Sequence, residues 1–262
     1  MADRHHEVVR REFTRQSPTF TATGWAAAEL DWITDQAGPE PNHQVLEVAA
    51  GAAHLGRTLA RHTAHVTAID LTPAVLLQGK AQADADGQCN VVFEIGDAAH
   101  LPYLDASFDI VVSRLAAHHF PQPGAVISEM VRVCRPTGWI VVVDMVAELD
   151  TREASDHLER LRDPSHTRTL TLQEVTGLLS TAGGSVTTRQ TRPRPLLVAD
   201  WLDRTSTPQP ARDEITAALL TELDGGPATG LRPHRRGGDL LLTHEWAAVT
   251  AIAVGPARPA MP

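Results

Sequence analysis

Between residues 45 and 146 short apolar runs alternate with helix-like segments, and this alternation constrains the fold more than any other feature of the chain. Residues 45–48, 66–69, 91–95, 108–113 and 139–146 are short and rich in Val and Ile, as buried strands are. Helices are expected between them, from residue 55 to 61, over 73–83 and over 124–134. In the last of these, Val126, Ile127, Met130 and Val131 repeat at helical spacing. Strands separated by helices predict an α/β fold built on a doubly wound sheet of about seven strands, mostly parallel. The final apolar run, 240–254, is expected as a late antiparallel strand at the far side of that sheet.

The flanking segments are less regular. Residues 1–42 are polar and amphipathic and close on the breaker Gly38-Pro39-Glu40-Pro41; Trp25, Leu30 and Ile33 suggest a short helix packed on the body. This stretch is expected to form an N-terminal helical lid over a main domain at 43–254, with a frayed tail at 255–262. Helices are expected over 153–162 and 211–223, and a strand over 185–190. Thr171-Leu172-Gln173-Glu174 has the pattern of a capping box opening a helix that stops at Gly183-Gly184.

Composition removes whole classes of function. The net charge of -9 lacks the basic footprint that nucleic-acid binding requires. Of 23 Lys and Arg residues only Lys80 is a lysine, and no G-x-x-x-x-G-K-[ST] run exists, which argues against phosphate-gripping loops and Schiff-base chemistry. Cys89 and Cys134 give no disulfide framework and no metal-ligand spacing, and are expected as buried thiols. No apolar run approaches a membrane span, so a soluble cytoplasmic protein without a membrane partner is expected; a homo-oligomer is compatible with the sequence.

The most informative stretch is Val45-Leu46-Glu47-Val48-Ala49-Ala50-Gly51-Ala52-Ala53-His54. A turn of small residues after the first strand lets backbone approach a ligand closely. A dinucleotide fingerprint would put His54 at a position where helix and strand must pack tightly, and it fits badly. The pattern [DE]-x-G-x-G-x-G aligns Glu47 with Ala49, Gly51 and Ala53, all small. Asp70, followed by Leu71, ends the second strand, where a carboxylate can accept from both hydroxyls of a ribose. A third acid, Asp97 in Gly96-Asp97-Ala98, follows the third strand. So many carboxylates would repel a pyrophosphate but suit a sulfonium cofactor that also carries an ammonium, which is S-adenosylmethionine.

The run Leu101-Pro102-Tyr103-Leu104-Asp105-Ala106-Ser107-Phe108-Asp109-Ile110-Val111-Val112 resembles the "LPF-x-D-x-SFD-x-V" segment of class I S-adenosylmethionine-dependent methyltransferases, in the ubiquinone/menaquinone-biosynthesis-like (type 11) group of small-molecule enzymes. Glu129-Met130-Val131-Arg132-Val133-Cys134-Arg135-Pro136-Thr137-Gly138 is similar to the group's "EM-x-RVL-x-PGG". The likeness is strong over about 40–146 and looser over 150–185. The chain departs from it at Ala49 and Ala53 in the glycine loop and at Thr137. The resemblance implies a Rossmann-like fold with acceptor-site insertions around 147–182 and 197–238. It also implies that Glu47, Ala49 and Gly51 face the methionine end of the cofactor, that Asp70 and Leu71 hold the ribose, and that Gly96, Asp97 and the Ala98 amide hold the adenine. Arg114 falls where family carbonyls meet the methionine ammonium, its own side chain being free to pair with an acid.

Methyl transfer to a hydroxyl requires alignment and a base. His118 and His119 follow the fourth strand at the carboxyl edge, and either titrates in the right range. His119 is the favoured base, with Asp144 of the fifth strand orienting it or replacing it. His166, in Arg162-Asp163-Pro164-Ser165-His166, is a further candidate. Phe13, Arg15 and Gln16 are lid candidates, while His5 and His6 are expected at the solvent surface. No metal is assigned. The expected activity is O-methylation of a small bacterial secondary metabolite. Alternatives are C- or N-methylation of a quinone-like or amine precursor, and a protein of this fold that transfers no methyl group, such as a pericyclase or regulatory partner.

Overall fold

The computed structural model describes residues 2–19 and 29–254. Two N-terminal helices, α1 (Ala2–Gln16) and α2 (Leu30–Ala37), precede the alternating region. That region runs β1 (Gln44–Val48), α3 (His54–Leu59), β2 (His65–Asp70), α4 (Pro73–Ala85), β3 (Val91–Ile95), β4 (Phe108–Arg114), α5 (Pro123–Val133) and β5 (Cys134–Val146). The second half adds α6 (Arg152–Arg162), α7 (Leu172–Thr181), β6 (Gly184–Leu197), α8 (Val198–Arg204), α9 (Gln209–Leu223), β7 (His234–Arg236) and β8 (Asp239–Ala253). The sheet order is β3-β2-β1-β4-β5-β8-β6, with β7 paired to β8. Strands β1 to β5 pair in parallel, and β8 runs antiparallel to β5, β6 and β7. The fold is therefore the expected Rossmann-like one, with one correction: β8 lies inside the sheet, and β6 forms its edge.

Alternation along the strands builds two cores, as a period of two demands. Leu46, Val111, Ile140 and Val142 face α5 and α7 on one side. Val45, Ile110, Val112 and Val141 face α2 and α3 on the other, where Ile33 is fully buried as its pattern required. A third cluster joins α6, α8 and α9 through Leu158, Trp201, Leu202, Ile215 and Leu219 against Leu242 of β8. Thr171 caps α7 with both reciprocal bonds of a capping box, worth about 1 kcal/mol. Trp25 and the tail at 255–262 lie outside the described residues. Cys134 is buried, but Cys89 is exposed, against expectation.

The strand order reverses between β1 and β4, which opens a crevice at their carboxyl ends. Side chains from the ends of β1, β2, β4 and β5, and from the loops after β3 and β4, border that crevice.

Candidate active site

The loop after β1 adopts the conformation that its glycine template requires. Ala49, Gly51 and Ala53 all have left-handed backbones, with φ of 54°, 56° and 52°. Alanine in this region costs roughly 1–2 kcal/mol, so at two of the three positions the chain holds by its surroundings a shape that glycine adopts freely. Thr137, the other departure from the family pattern, is also left-handed, with φ of 68°. The loop is pinned by Asp70, whose Oδ2 accepts from the Gly51 amide and whose Oδ1 accepts from the Thr72 amide, each at 2.8 Å. Burial raises the Asp70 carboxyl above its ordinary range, and these amide bonds hold part of that rise in check.

Glu47 is buried beneath the same loop. Its Oε2 accepts from the Gly56 amide at 2.7 Å, and a Cβ on Gly56 would come within 2.5 Å of that oxygen, so a larger residue there would displace the Glu47 carboxyl. Burial pushes the Glu47 carboxyl up to about 8, against the pull of the Gly56 amide and of Arg114. Arg114, at the end of β4, is pushed down to about 10 by burial, with Glu47 opposing the shift. Asp97 accepts from the Ala99 amide at 2.9 Å and lies 3.2 Å from His100 Nδ1; these contacts outweigh partial burial and lower its carboxyl.

These groups border a cavity of ≈ 260 Å³, together with Ala49, Gly51, Leu71, Gly96 and Ala98. Helix α1 contributes His5, His6, Val9, Phe13 and Gln16, a single helix face at the spacing of successive turns. His5 and His6 thus border the cavity and are not simple surface histidines; His5 Nε2 donates to the His119 carbonyl at 2.8 Å. Arg15 turns away, to Glu12 and the Ser206 carbonyl.

The two central histidines sit on a short turn, Ala117–His119, and their environments differ sharply. His118 Nδ1 donates to Asp144 Oδ1 at 2.6 Å, and Asp144 also accepts from the His118 and Met145 amides at 3.2 Å and 2.7 Å. Burial opposes the charged imidazole of His118, but Asp144 outweighs it and raises the group above its usual value. Asp144, only 4% exposed, is lowered despite its burial by His118 and the Met145 amide. Asp144 therefore orients His118, where the sequence favoured His119.

His119 is bound elsewhere. Its Nδ1 lies 3.1 Å from the Ser165 carbonyl, which can only accept, so Nδ1 carries the proton. Ser165 Oγ, 3.0 Å from the same nitrogen, donates to Asp163 Oδ1 at 2.6 Å, and Gln16 Nε2 of α1 donates to Asp163 Oδ2 at 2.9 Å. Phe13 packs edge-on against the His119 ring at 5.0 Å. Burial, then the neighbouring His118, push His119 down to about 3. His166 is buried, is bonded through Nε2 to Asp156 at 2.8 Å, and does not border the cavity. Trp201, Arg204, His244 and Trp246 do border it, although the sequence pointed to none of them. Among the described residues no group of three or more His, Cys, Asp or Glu could hold a metal ion, and no helix is long and apolar enough to cross a membrane.

Comparison with known proteins follows the same outline. A methyltransferase domain model matches residues 46–142. The uncharacterized methyltransferase YcgJ of Bacillus subtilis is 33% identical over 179 residues, covering 68% of this chain and 71% of YcgJ. The chain belongs to the methyltransferase family. The solved structure of YcgJ superposes on this methyltransferase with a TM-score of 0.79 at 27% identity, covering 87% of this chain and 99% of YcgJ. The structure of BH2331 from Bacillus halodurans C-125 gives 0.78 at 26% identity, with the same coverage. The ubiquinone/menaquinone biosynthesis C-methyltransferase UbiE of Roseobacter denitrificans is 28% identical over 123 residues, 46% of this chain and 48% of UbiE. S-adenosylmethionine is the cofactor of this methyltransferase. The residues present fit it: three carboxylates border the same cavity as a loop whose left-handed backbone and small side chains leave room for close approach.

Proposed function

We propose that this methyltransferase methylates a hydroxyl oxygen of a small secondary metabolite, with His118 as general base and Asp144 as the group that orients it. The observation that carries this reading is the 2.6 Å bond between His118 Nδ1 and Asp144 beside the cofactor cavity. With Nδ1 committed to the carboxylate, Nε2 is the nitrogen that accepts a proton. S-adenosylmethionine, when bound, supplies a methyl carbon activated by a cationic sulfur. His118 Nε2 would take the proton of the acceptor hydroxyl, and Asp144 would stabilise the resulting imidazolium. His119, neutral and of low basicity, shapes the acceptor wall.

On this reading Asp70 holds the ribose hydroxyls, Asp97 and the Ala98 amide hold the adenine, and Glu47 faces the ammonium end. Glu47, raised to about 8, is mostly protonated at pH 7 in the free protein. An arriving ammonium lowers its pKa, so S-adenosylhomocysteine binding at pH 7 is expected to release a proton. Calorimetric enthalpies should then vary with the buffer's ionisation enthalpy, and Glu47→Gln should remove that variation. An invariant enthalpy in the unaltered protein would refute this role for Glu47.

Relatives named as C-methyltransferases support a second reading, transfer to carbon. Incubation with methyl-labelled S-adenosylmethionine and a panel of hydroxylated aromatics separates the two by NMR. A methoxy signal is expected; label found only as carbon-bound methyl would replace the first reading with the second.

A further inference from the structure

The two neighbouring histidines are oriented by different partners, yet both keep the same nitrogen available. His118 Nδ1 is committed to Asp144 at 2.6 Å, and His119 Nδ1 to the Ser165 carbonyl at 3.1 Å. Neither Nε2 makes a hydrogen bond to a described residue, neither is sealed from solvent, and both rings border the cavity. The ring centroids lie 4.2 Å apart, with the planes inclined at 46°. Because Nδ1 carries the proton in both rings, each Nε2 is a hydrogen-bond acceptor. The pair therefore presents two adjacent lone pairs, which a ligand with a single hydroxyl cannot satisfy.

The His119 ring is held in place: the Ser165 hydroxyl beside it donates to Asp163 at 2.6 Å, and Phe13 packs edge-on at 5.0 Å. Burial, then His118, push its pKa down to about 3, so the ring stays neutral and Nε2 stays an acceptor at neutral pH. The surroundings ask for no charged ligand, because Arg162 and Arg204 are already faced by Glu159 and Asp163. Aromatic side chains are scarce in this chain, at 5 Phe, 5 Trp and 1 Tyr, yet Phe13, Phe120, Trp201 and Trp246 all border this cavity. A flat, uncharged ring suits such a wall.

We propose that the methyl acceptor is an uncharged aromatic vicinal diol, one hydroxyl facing His118 Nε2 and its neighbour donating a hydrogen bond to His119 Nε2. The first hydroxyl gives its proton to His118 and exchanges its O–H bond for the O–CH3 bond of the product. The second keeps its proton, since His119 is too weakly basic to take it, and the product carries one methoxy and one hydroxyl group. A second methylation is disfavoured, because it would turn the methoxy oxygen toward His119 Nε2 with no proton between two acceptors. His119 is then a substrate-binding residue and not part of the base. This inference rests on the reading of the cavity as a methyl-transfer site with His118 as base.

The test is a calorimetric titration of catechol, resorcinol, phenol and 2-methoxyphenol into protein saturated with S-adenosylhomocysteine. Catechol is expected to bind roughly 5–10-fold tighter than phenol or than resorcinol, whose hydroxyls are not adjacent, the gain of one hydrogen bond between neutral groups. 2-Methoxyphenol should bind more weakly than phenol. In His119→Phe, which keeps a flat ring without an acceptor, the preference of catechol over phenol should vanish. His119→Gln, whose carbonyl oxygen accepts, should restore part of it. Incubating catechol with S-adenosylmethionine should give a product with a single methoxy group by mass and NMR. Catechol no tighter than phenol, resorcinol equal to catechol, no binding by any of the four at millimolar concentration, a preference unchanged in His119→Phe, or ready conversion of 2-methoxyphenol to the dimethyl ether would overturn the proposal. Failure of S-adenosylhomocysteine to bind, or a methyl group found on ring carbon, would instead overturn the reading beneath it.

Discussion

Asp70→Ala is expected to weaken S-adenosylhomocysteine binding by roughly 100-fold or more. Each Asp70 oxygen already accepts one amide hydrogen bond and keeps a lone pair for a ribose hydroxyl. Two hydrogen bonds to a charged acceptor are worth about 1.5–3 kcal/mol each, and every 1.4 kcal/mol is about tenfold in affinity. The substitution also leaves the Gly51 and Thr72 amides without their acceptor, so the loop after β1 loosens in the same step. Asp70→Asn keeps one acceptor oxygen and should fall between the two proteins. Calorimetric titration measures all three. An alanine variant that binds within a few-fold of the unaltered protein would remove Asp70 from the cofactor site.

The second large effect is on turnover. His118→Ala should lower kcat by about 10²–10⁴, the usual contribution of a positioned general base, with cofactor affinity unchanged. Asp144→Asn should also slow the reaction, because an amide can neither fix the Nδ1–H tautomer with a charge nor stabilise the imidazolium. The pH dependence has a defined sign. A base must be unprotonated to act, so kcat/KM should fall as pH drops through the His118 pKa, which Asp144 holds above the ordinary histidine value. In Asp144→Asn that limb should move to lower pH. A limb that stays in place in Asp144→Asn would show that Asp144 does not set the basicity of the catalytic group.

Much of this was legible in the sequence, and the failures have physical causes. The order of strands and helices through β5 follows from periodicity alone. The loop after β1 was readable through its alanines because small size and position still mark the turn, and Ala49 and Ala53 do adopt the left-handed shape. Strand β6 was expected to end at residue 190 but runs to Leu197, through Pro193 and Pro195. Proline is a breaker inside a sheet, yet β6 is an edge strand, where a missing N–H can face solvent. The place of β8 inside the sheet was hidden because sequence adjacency does not give strand order. Helix α8 is too short to show a period, so Trp201 and Arg204 gave no signal; they reach Arg162 only through the packing of α8 with α6.

The choice between His118 and His119 was the hardest to read. Adjacent residues on a tight turn point in different directions, and only the structure shows which one meets Asp144. It also shows His119 tied through Ser165 and Asp163 to Gln16 of α1, a connection spanning almost 150 residues of sequence.

The central claim is that His118, held by Asp144, is the proton acceptor. Its most direct test is the turnover of His118→Ala and His119→Ala side by side, at saturating S-adenosylmethionine, on an acceptor found in the hydroxyl panel, with S-adenosylhomocysteine affinity as the check on folding. The account predicts that the His118 variant loses about 10²–10⁴ in kcat, while the His119 variant stays within about tenfold of the unaltered enzyme. A collapse confined to the His119 variant, or two variants as fast as the unaltered protein, would contradict it.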